Sequence, residues 1–182
     1  MPAIKIAHEL GALRKELTKT RRTIIPKAAA RALNRTGQQV QSAATKRVAK
    51  DMGIKQKDAK PAIKRSKATV LVKFVEITAR GRPLNLMRFG ARQTKKGVSA
   101  KPWGKRRIFK GAWIGNDGRT VFKRVGKSRQ PIRGVYGPGI AKSFEDARPA
   151  AFKVFRDRWP VNFRDAMRSL MIKNKHLGHK GR

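Results

Sequence analysis

Two runs of alternating apolar and polar residues face each other across Asn116-Asp117-Gly118, and no other stretch limits the possible folds as strongly. Phe109, Gly111 and Trp113 precede the tripeptide, and Val121, Lys123 and Val125 follow it, with the period of two that a half-buried strand requires. Asp-Gly supplies the positive φ angles of a tight hairpin turn. A third run, Gln130 to Tyr136, lies between Gly126-Lys127-Ser128 and Gly137-Pro138-Gly139. The stretch from Arg107 to Ile140 therefore predicts a three-stranded antiparallel meander, each strand bringing large apolar side chains to one face.

Helical periodicity dominates before this stretch. Ile6, Leu10, Leu13 and Leu17 form one stripe over Ile4 to about Thr20, opposite Glu9, Arg14, Lys15 and Glu16. A longer helix is expected from Pro26, which suits a first helical position. Its buried stripe is Leu33, Gly37, Val40, Ala44, Val48 and Met52, and Gly53 is its stop. Lys55 to Arg65 reads as a short helix with Pro61 inside it or at its first turn. The β-branched run Thr69 to Ala79, TVLVKFVEITA, predicts a central strand covered on both faces for part of its length. After the meander, Ser143 to about Lys173 is helical, divided by Pro149 and Pro160, with Glu145 and Asp146 near its positive end. Its aromatic residues, Phe144, Phe152, Phe155, Trp159 and Phe163, read as core. The tail from Asn174 is polar and basic and is expected to be mobile.

Between Ile77 and Asn116 there is no acidic residue, while Arg80, Arg82, Arg88, Arg92, Lys95, Lys96, Lys101, Lys105, Arg106, Arg107 and Lys110 crowd the same segment among glycines. Charges this dense cannot pack against one another, so residues 80–110 predict a long basic loop or extended hairpin with Phe89 and Trp103 pinning its base. The same imbalance pervades the chain: 47 Lys and Arg against 10 Asp and Glu give a formal charge of +37. Such a charge repels itself in the compact state unless a partner or salt answers it. Leu, Ile, Val and Phe supply 40 of the 182 residues, just enough for a packed core.

Several chemistries lack their residues. Without cysteine there is no disulfide, thiolate metal site or cysteine nucleophile. His176 and His179 have metal-like spacing but no carboxylate near them in the tail, so no metal or other cofactor is expected. Glu145 with Asp146 is better explained as helix N-terminal charge than as an acid–base pair, and no phosphate-binding glycine loop precedes a helix. No catalytic role is expected. No apolar run is long enough to span a bilayer, and the N-terminus lacks a secretory signal, so no membrane partner is expected and synthesis in the cytoplasm is. The remaining chemistry is contact with phosphates through Lys and Arg, reading charge rather than base sequence.

The ordered series Ala112-Trp113-Ile114, Asn116-x-Gly118, Val121-Phe122-x-Arg124, Gly126, Arg129-x-Pro131-Ile132 and Tyr136-Gly137-Pro138 resembles the minor tail protein Z family of tailed bacteriophages. Leu84, Met87, Phe89-Gly90-Ala91-Arg92-Gln93 and Gly97-Val98 extend the resemblance upstream; Ile108-Phe109-Lys110 and Gly139 depart from it. The fold expected is α+β, one tail-completion-like domain over residues 1–182. Its parts are helices over 1–65, a β part over 66–140 with the basic loop 80–110, a C-terminal helical part over 141–173 and a basic tail over 174–182. The resemblance implies a structural virion protein at the head-proximal end of the tail, present in the host cytoplasm during assembly. It would complete the tail and support head–tail joining around the DNA channel as a ring of six copies. The implied neighbours are tail terminator, tail tube or head-connector proteins and the backbone of double-stranded DNA.

Magnitude sharpens that expectation. Six copies of such a chain carry on the order of 200 positive charges, whereas a bore roughly 40 Å long encloses only about 24 phosphates at one per ~1.7 Å. DNA answers a minority of the charge, so acidic surfaces on neighbouring proteins are expected to answer more. The alternative reading is a nucleic-acid-binding protein of ribosomal or nucleoid type, and a third is scaffolding in which the charge serves protein contacts alone.

Overall fold

Helical backbone continues from residue 17 through a π turn, Thr20–Ile24, directly into helix α1, Ile25–Met52. The computed structural model describes residues 14–15, 17–81 and 83–178, with side chains through residue 173. Most of the expected first helix, and its apolar stripe before Leu17, lies outside the described residues. No break occurs at Pro26, contrary to expectation. Proline lacks an N–H and its ring crowds the carbonyl four residues back. The wider π turn just before it, closed by the Ile25 N–H on the Thr20 carbonyl, lets the helix pass through.

The foreseen stripe of α1 is present: Gly37, Ala44, Val48 and Met52 are buried, Leu33 and Val40 half-buried. Gly53 ends the helix as expected. Its N–H donates to the Lys50 carbonyl at 3.2 Å and the Ile54 N–H to the Ala49 carbonyl at 3.0 Å, the paired bonds of a Schellman stop.

Helix α2, Gln56–Ala59, and a 3₁₀ turn at Lys60–Ala62 follow, so the short helix expected to reach Arg65 ends before its last three residues. The next three residues become strand β1, Ile63–Arg65, antiparallel to β2, Ile77–Ala79. Only those last three residues of the run Thr69 to Ala79 are strand. Thr69 to Phe74 form an exposed loop, which corrects the expected central strand. β-Branched composition favours a pleated backbone, but a strand exists only where a second backbone is available to pair with it.

A second sheet has the order β3 (Arg92–Thr94), β4 (Gly97–Ala100), β5 (Arg107–Lys110), all antiparallel. A third has the order β6 (Ala112–Ile114), β7 (Val121–Arg124), β8 (Ile132–Gly134). The third sheet is the foreseen meander, with the Asn116-Asp117-Gly118 turn between β6 and β7. Its first strand is shorter than expected, because the chain turns at Gly111 (φ 70°) and Arg107–Lys110 joins the neighbouring sheet. Trp113 stands opposite Phe122, their rings 6.4 Å apart, and Gln93 accepts the Ile114 N–H at 3.0 Å, tying the two sheets together.

The C-terminal element is one helix, α3, Ile140–Gly178, rather than pieces divided by proline. Pro149 and Pro160 deprive the Glu145 and Arg156 carbonyls of helical donors. All four residues lie on the exposed side, where water can hydrate those carbonyls. The architecture is α+β, as expected.

The chain divides into two compact units. The larger, Val40–Arg65 with Ile77–Val154, contains all three sheets and the main core, built around Val48, Met52, Ile63, Leu86, Phe89, Val98, Val121 and Ile140. The smaller, Met1–Gln39 with Ser66–Glu76 and Phe155–Arg182, packs the first half of α1 against the second half of α3. Buried Asn162 donates there to Thr36 Oγ1 and Gln39 Oε1, each at 2.9 Å.

Candidate DNA- and partner-facing surface

The acid-free segment takes the hairpin form of the two expected for it. β3 and β4 are joined through Lys95 and Lys96, and β5 returns along the far side of β4. The centre strand is buried along its whole length, so the segment is a folded sheet rather than a free loop. Gly97 makes the tight pairing possible. Its φ is 137°, and a Cβ built there would stand 2.2 Å from the Phe109 carbonyl oxygen, so only glycine admits that approach.

Parity separates apolar from charged residues only in part, since Ile108 shares a face with Arg92 and Arg107 has the parity of Phe109. Val98 and half-buried Phe109 pair on the core side, while Arg92, Ser99 and Ile108 align across the other face, with Lys110 beside Gly97. Arg106 donates from Nη1 to Ser99 Oγ at 3.1 Å, covering that buried hydroxyl. Phe89 pins the base of the segment as foreseen, in the 3₁₀ turn Leu86–Phe89. Asn85 sets that turn, accepting the Met87 N–H at 3.1 Å and the Val121 N–H at 3.0 Å. Trp103 does not pin anything: it is 57% exposed and holds a left-handed backbone (φ 55°) between two exposed lysines, Lys101 and Lys105. The sharp turn Pro102–Gly104 forces it outward, and composition had suggested the reverse.

Of the ten cations expected to face DNA or a partner, Arg80, Arg88, Arg92, Lys95, Lys96, Lys101, Lys105, Arg106 and Arg107 are exposed, and Arg82 lies outside the described residues. Arg88 has a structural duty. It donates from Nη1 to Asp58 Oδ1 at 2.8 Å, and that carboxylate is nearly buried. The other eight have no carboxylate partner among the described residues. Sequence alone had no means of separating Arg88 from its neighbours, since Asp58 lies 30 residues away.

The family is decided by the extent of agreement along the chain. The family model of prophage minor tail protein Z matches residues 11–172. The chain belongs to this family. It is accordingly a structural protein of a phage tail and a virion component. No curated protein and no solved structure shows significant similarity to it.

Two further surfaces of this minor tail protein Z family member escaped the sequence reading. In the loop after β1, Leu71 is 90% and Phe74 62% exposed, with Val70 and Val72 exposed beside them. The loop is closed at its base, where the Ser66 N–H donates to the Glu76 carbonyl and the Glu76 N–H to Ser66 Oγ. On α3, Phe155, Trp159 and Phe163 stack in a row, with centroids 6.0 and 5.6 Å apart. Phe152 and Phe155 are exposed and Trp159 and Phe163 half-buried, so of the aromatic residues expected in the core Phe144 packs on the main core and these four are not part of it. A helix with an apolar stripe looks the same in sequence whether its own domain or another molecule covers the stripe. Among the described residues no group of His, Asp or Glu is placed to hold a metal, and no helix is long and apolar enough to cross a membrane.

Proposed function

We propose that this tail protein occupies the head-proximal end of the tail, where it completes the tail and supports head joining around the DNA channel. In this reading it works as a ring, sixfold by resemblance, against acidic surfaces of the adjoining terminator, tube or connector proteins. The observation that carries the reading is the set of eight exposed cations between Arg80 and Arg107 that have no carboxylate partner among the described residues. A surface of that kind is costly in isolation and is relieved by anionic neighbours. DNA phosphates supply part of the counter-charge and acidic protein faces the rest.

The exposed apolar loop Thr69 to Phe74 favours an assembled protein over a free nucleic-acid binder. Leu71 and Phe74 gain nothing from a polar phosphate backbone, whereas apolar contacts are what the centre of a protein interface consists of. The test is a reconstruction of the neck of purified particles, together with mass spectrometry of their protein content. Density for this chain around the channel at the head end, at the copy number of one ring, is the expected result. Its location at the distal tip, or its absence from particles, ends the proposal.

A further inference from the structure

Within the smaller unit, the start of α1 and the last turns of α3 border a groove of about 360 Å³. Lys19, Lys27, Arg31 and Lys173 line it, with Thr23 and Leu170, and buried Ile24 belongs to its wall. Among the described residues none of these four cations meets a carboxylate within ion-pair distance. The sequence has no acidic residue between Leu17 and Lys50, which leaves Lys27 and Arg31 without one nearby, while Glu16 precedes Lys19.

The spacing of the lining is regular. Positions 19, 23, 27 and 31 recur at every fourth residue, so three cations and a hydroxyl are strung along one side of the helix. At 1.5 Å per residue they cover about 18 Å, a length that a linear polyanion fills and a single small anion does not. The π turn Thr20–Ile24 falls within the same groove, and such turns are frequent at functional positions. Thr23 Oγ1 donates to the Lys19 carbonyl at 2.6 Å, which leaves the four cations as the groove's dominant polar groups. Like charges around a concave, partly apolar wall focus their field into the concavity, and an anion there relieves their repulsion.

We propose that this groove seats the phosphodiester backbone of duplex DNA, as a polyanion contact separate from the basic segment 80–110. The inference rests on the tail reading only for the source of the DNA. An acidic protein surface fits the groove less well. Protein interfaces bury an apolar centre, whereas the apolar members here, Ile24 and Leu170, are already buried and half-buried. The most exposed apolar side chain of this unit, Leu71, lies in the loop at residues 70–74, while Leu17, Ile25, Met171 and Ile172 are exposed but are not among the groove's lining.

Binding of the full chain to a short fluorescent DNA duplex, measured by anisotropy across a salt series, tests the assignment. The variant K19Q/K27Q/R31Q/K173Q is compared with K46Q/K50Q/K55Q/K57Q, which removes four exposed lysines elsewhere, and with K95Q/K96Q/K105Q/R106Q in the basic segment. Each phosphate contact contributes about 0.9 to the slope of log affinity against log salt. The groove variant is therefore expected to flatten that slope by about 3 to 4, with the Lys46 variant changing it by less than about 1 and thermal unfolding confirming that both remain folded. Equal flattening by the groove and Lys46 variants overturns the proposal, because charge at any position would then suffice. Flattening by the basic-segment variant alone also overturns it while leaving the tail reading intact. If the groove variant weakens binding to polyglutamate but not to the duplex, the groove is a protein-docking surface and the DNA assignment is wrong.

Discussion

Asn34 on α1 holds Ala68 by both ends of its carboxamide: Nδ2 donates to the Ala68 carbonyl at 2.8 Å and Oδ1 accepts the Ala68 N–H at 2.9 Å. The two residues are 34 positions apart, and through this pair a buried backbone unit finds partners that a neighbouring strand would otherwise provide. It is what anchors the loop carrying Leu71 and Phe74 to the helix beneath it.

Asn34→Ala should therefore loosen the loop without touching its exposed residues. Leaving the Ala68 N–H and carbonyl buried and unpaired costs about 1–3 kcal/mol. Urea denaturation should show that loss, and limited proteolysis should cut residues 66–76 sooner than in the unaltered chain. Unchanged stability and cleavage would mean that the carboxamide is replaced by water at no cost.

The Asp58–Arg88 pair should prove structural. Asp58 is nearly buried while the arginine is largely exposed, so water screens part of the interaction. Arg88→Ala should destabilise by about 1–3 kcal/mol, less than for a wholly buried pair, because it strands the carboxylate. A double-mutant cycle with Asp58→Asn should recover a coupling of about 1 kcal/mol. Additive single-variant effects would assign the cost to lost packing instead.

Gly97 and Gly90 both have positive φ, yet they should respond differently to alanine. At Gly90 a Cβ meets nothing within 4 Å, and Gly90→Ala should cost only the left-handed backbone penalty of about 1–2 kcal/mol. At Gly97 the Cβ would collide with the backbone of Phe109. Gly97→Ala should therefore lose more than about 3 kcal/mol, in the range of the most damaging substitutions. Differential scanning calorimetry of the two variants decides it; equal shifts in Tm would place β4 and β5 farther apart than described.

Leu71 and Phe74 should matter to assembly and not to folding. Because both are exposed, Leu71→Asp with Phe74→Asp should change unfolding free energy by no more than about 0.5 kcal/mol at each site. The same pair should abolish incorporation into particles, scored by plating and by mass spectrometry of purified virions. Wild-type plating by the double variant would remove the loop from any interface.

Much of the local structure was written in residues close together in sequence. The Asn116-Asp117-Gly118 hairpin, the Gly53 stop of α1 and the stripe through Ala44, Val48 and Met52 each depend on contacts within a few positions, which is the range over which turn chemistry and helical periodicity act. The ordered motifs from Leu84 to Pro138 were sufficient for the family, because that likeness resides in residue order rather than in packing. Tertiary structure decided the rest wherever a residue's state depends on a distant partner. TVLVKF lacks a pairing strand and is a loop; Arg107–Lys110 found β4 and left the meander; Arg88 met Asp58 while the other cations of its segment met no carboxylate among the described residues; and Phe155 stayed exposed, Trp159 and Phe163 half-buried. Propensity and hydrophobic pattern state what a segment can bury, but whether anything lies over it is a property of the folded chain and its assembly.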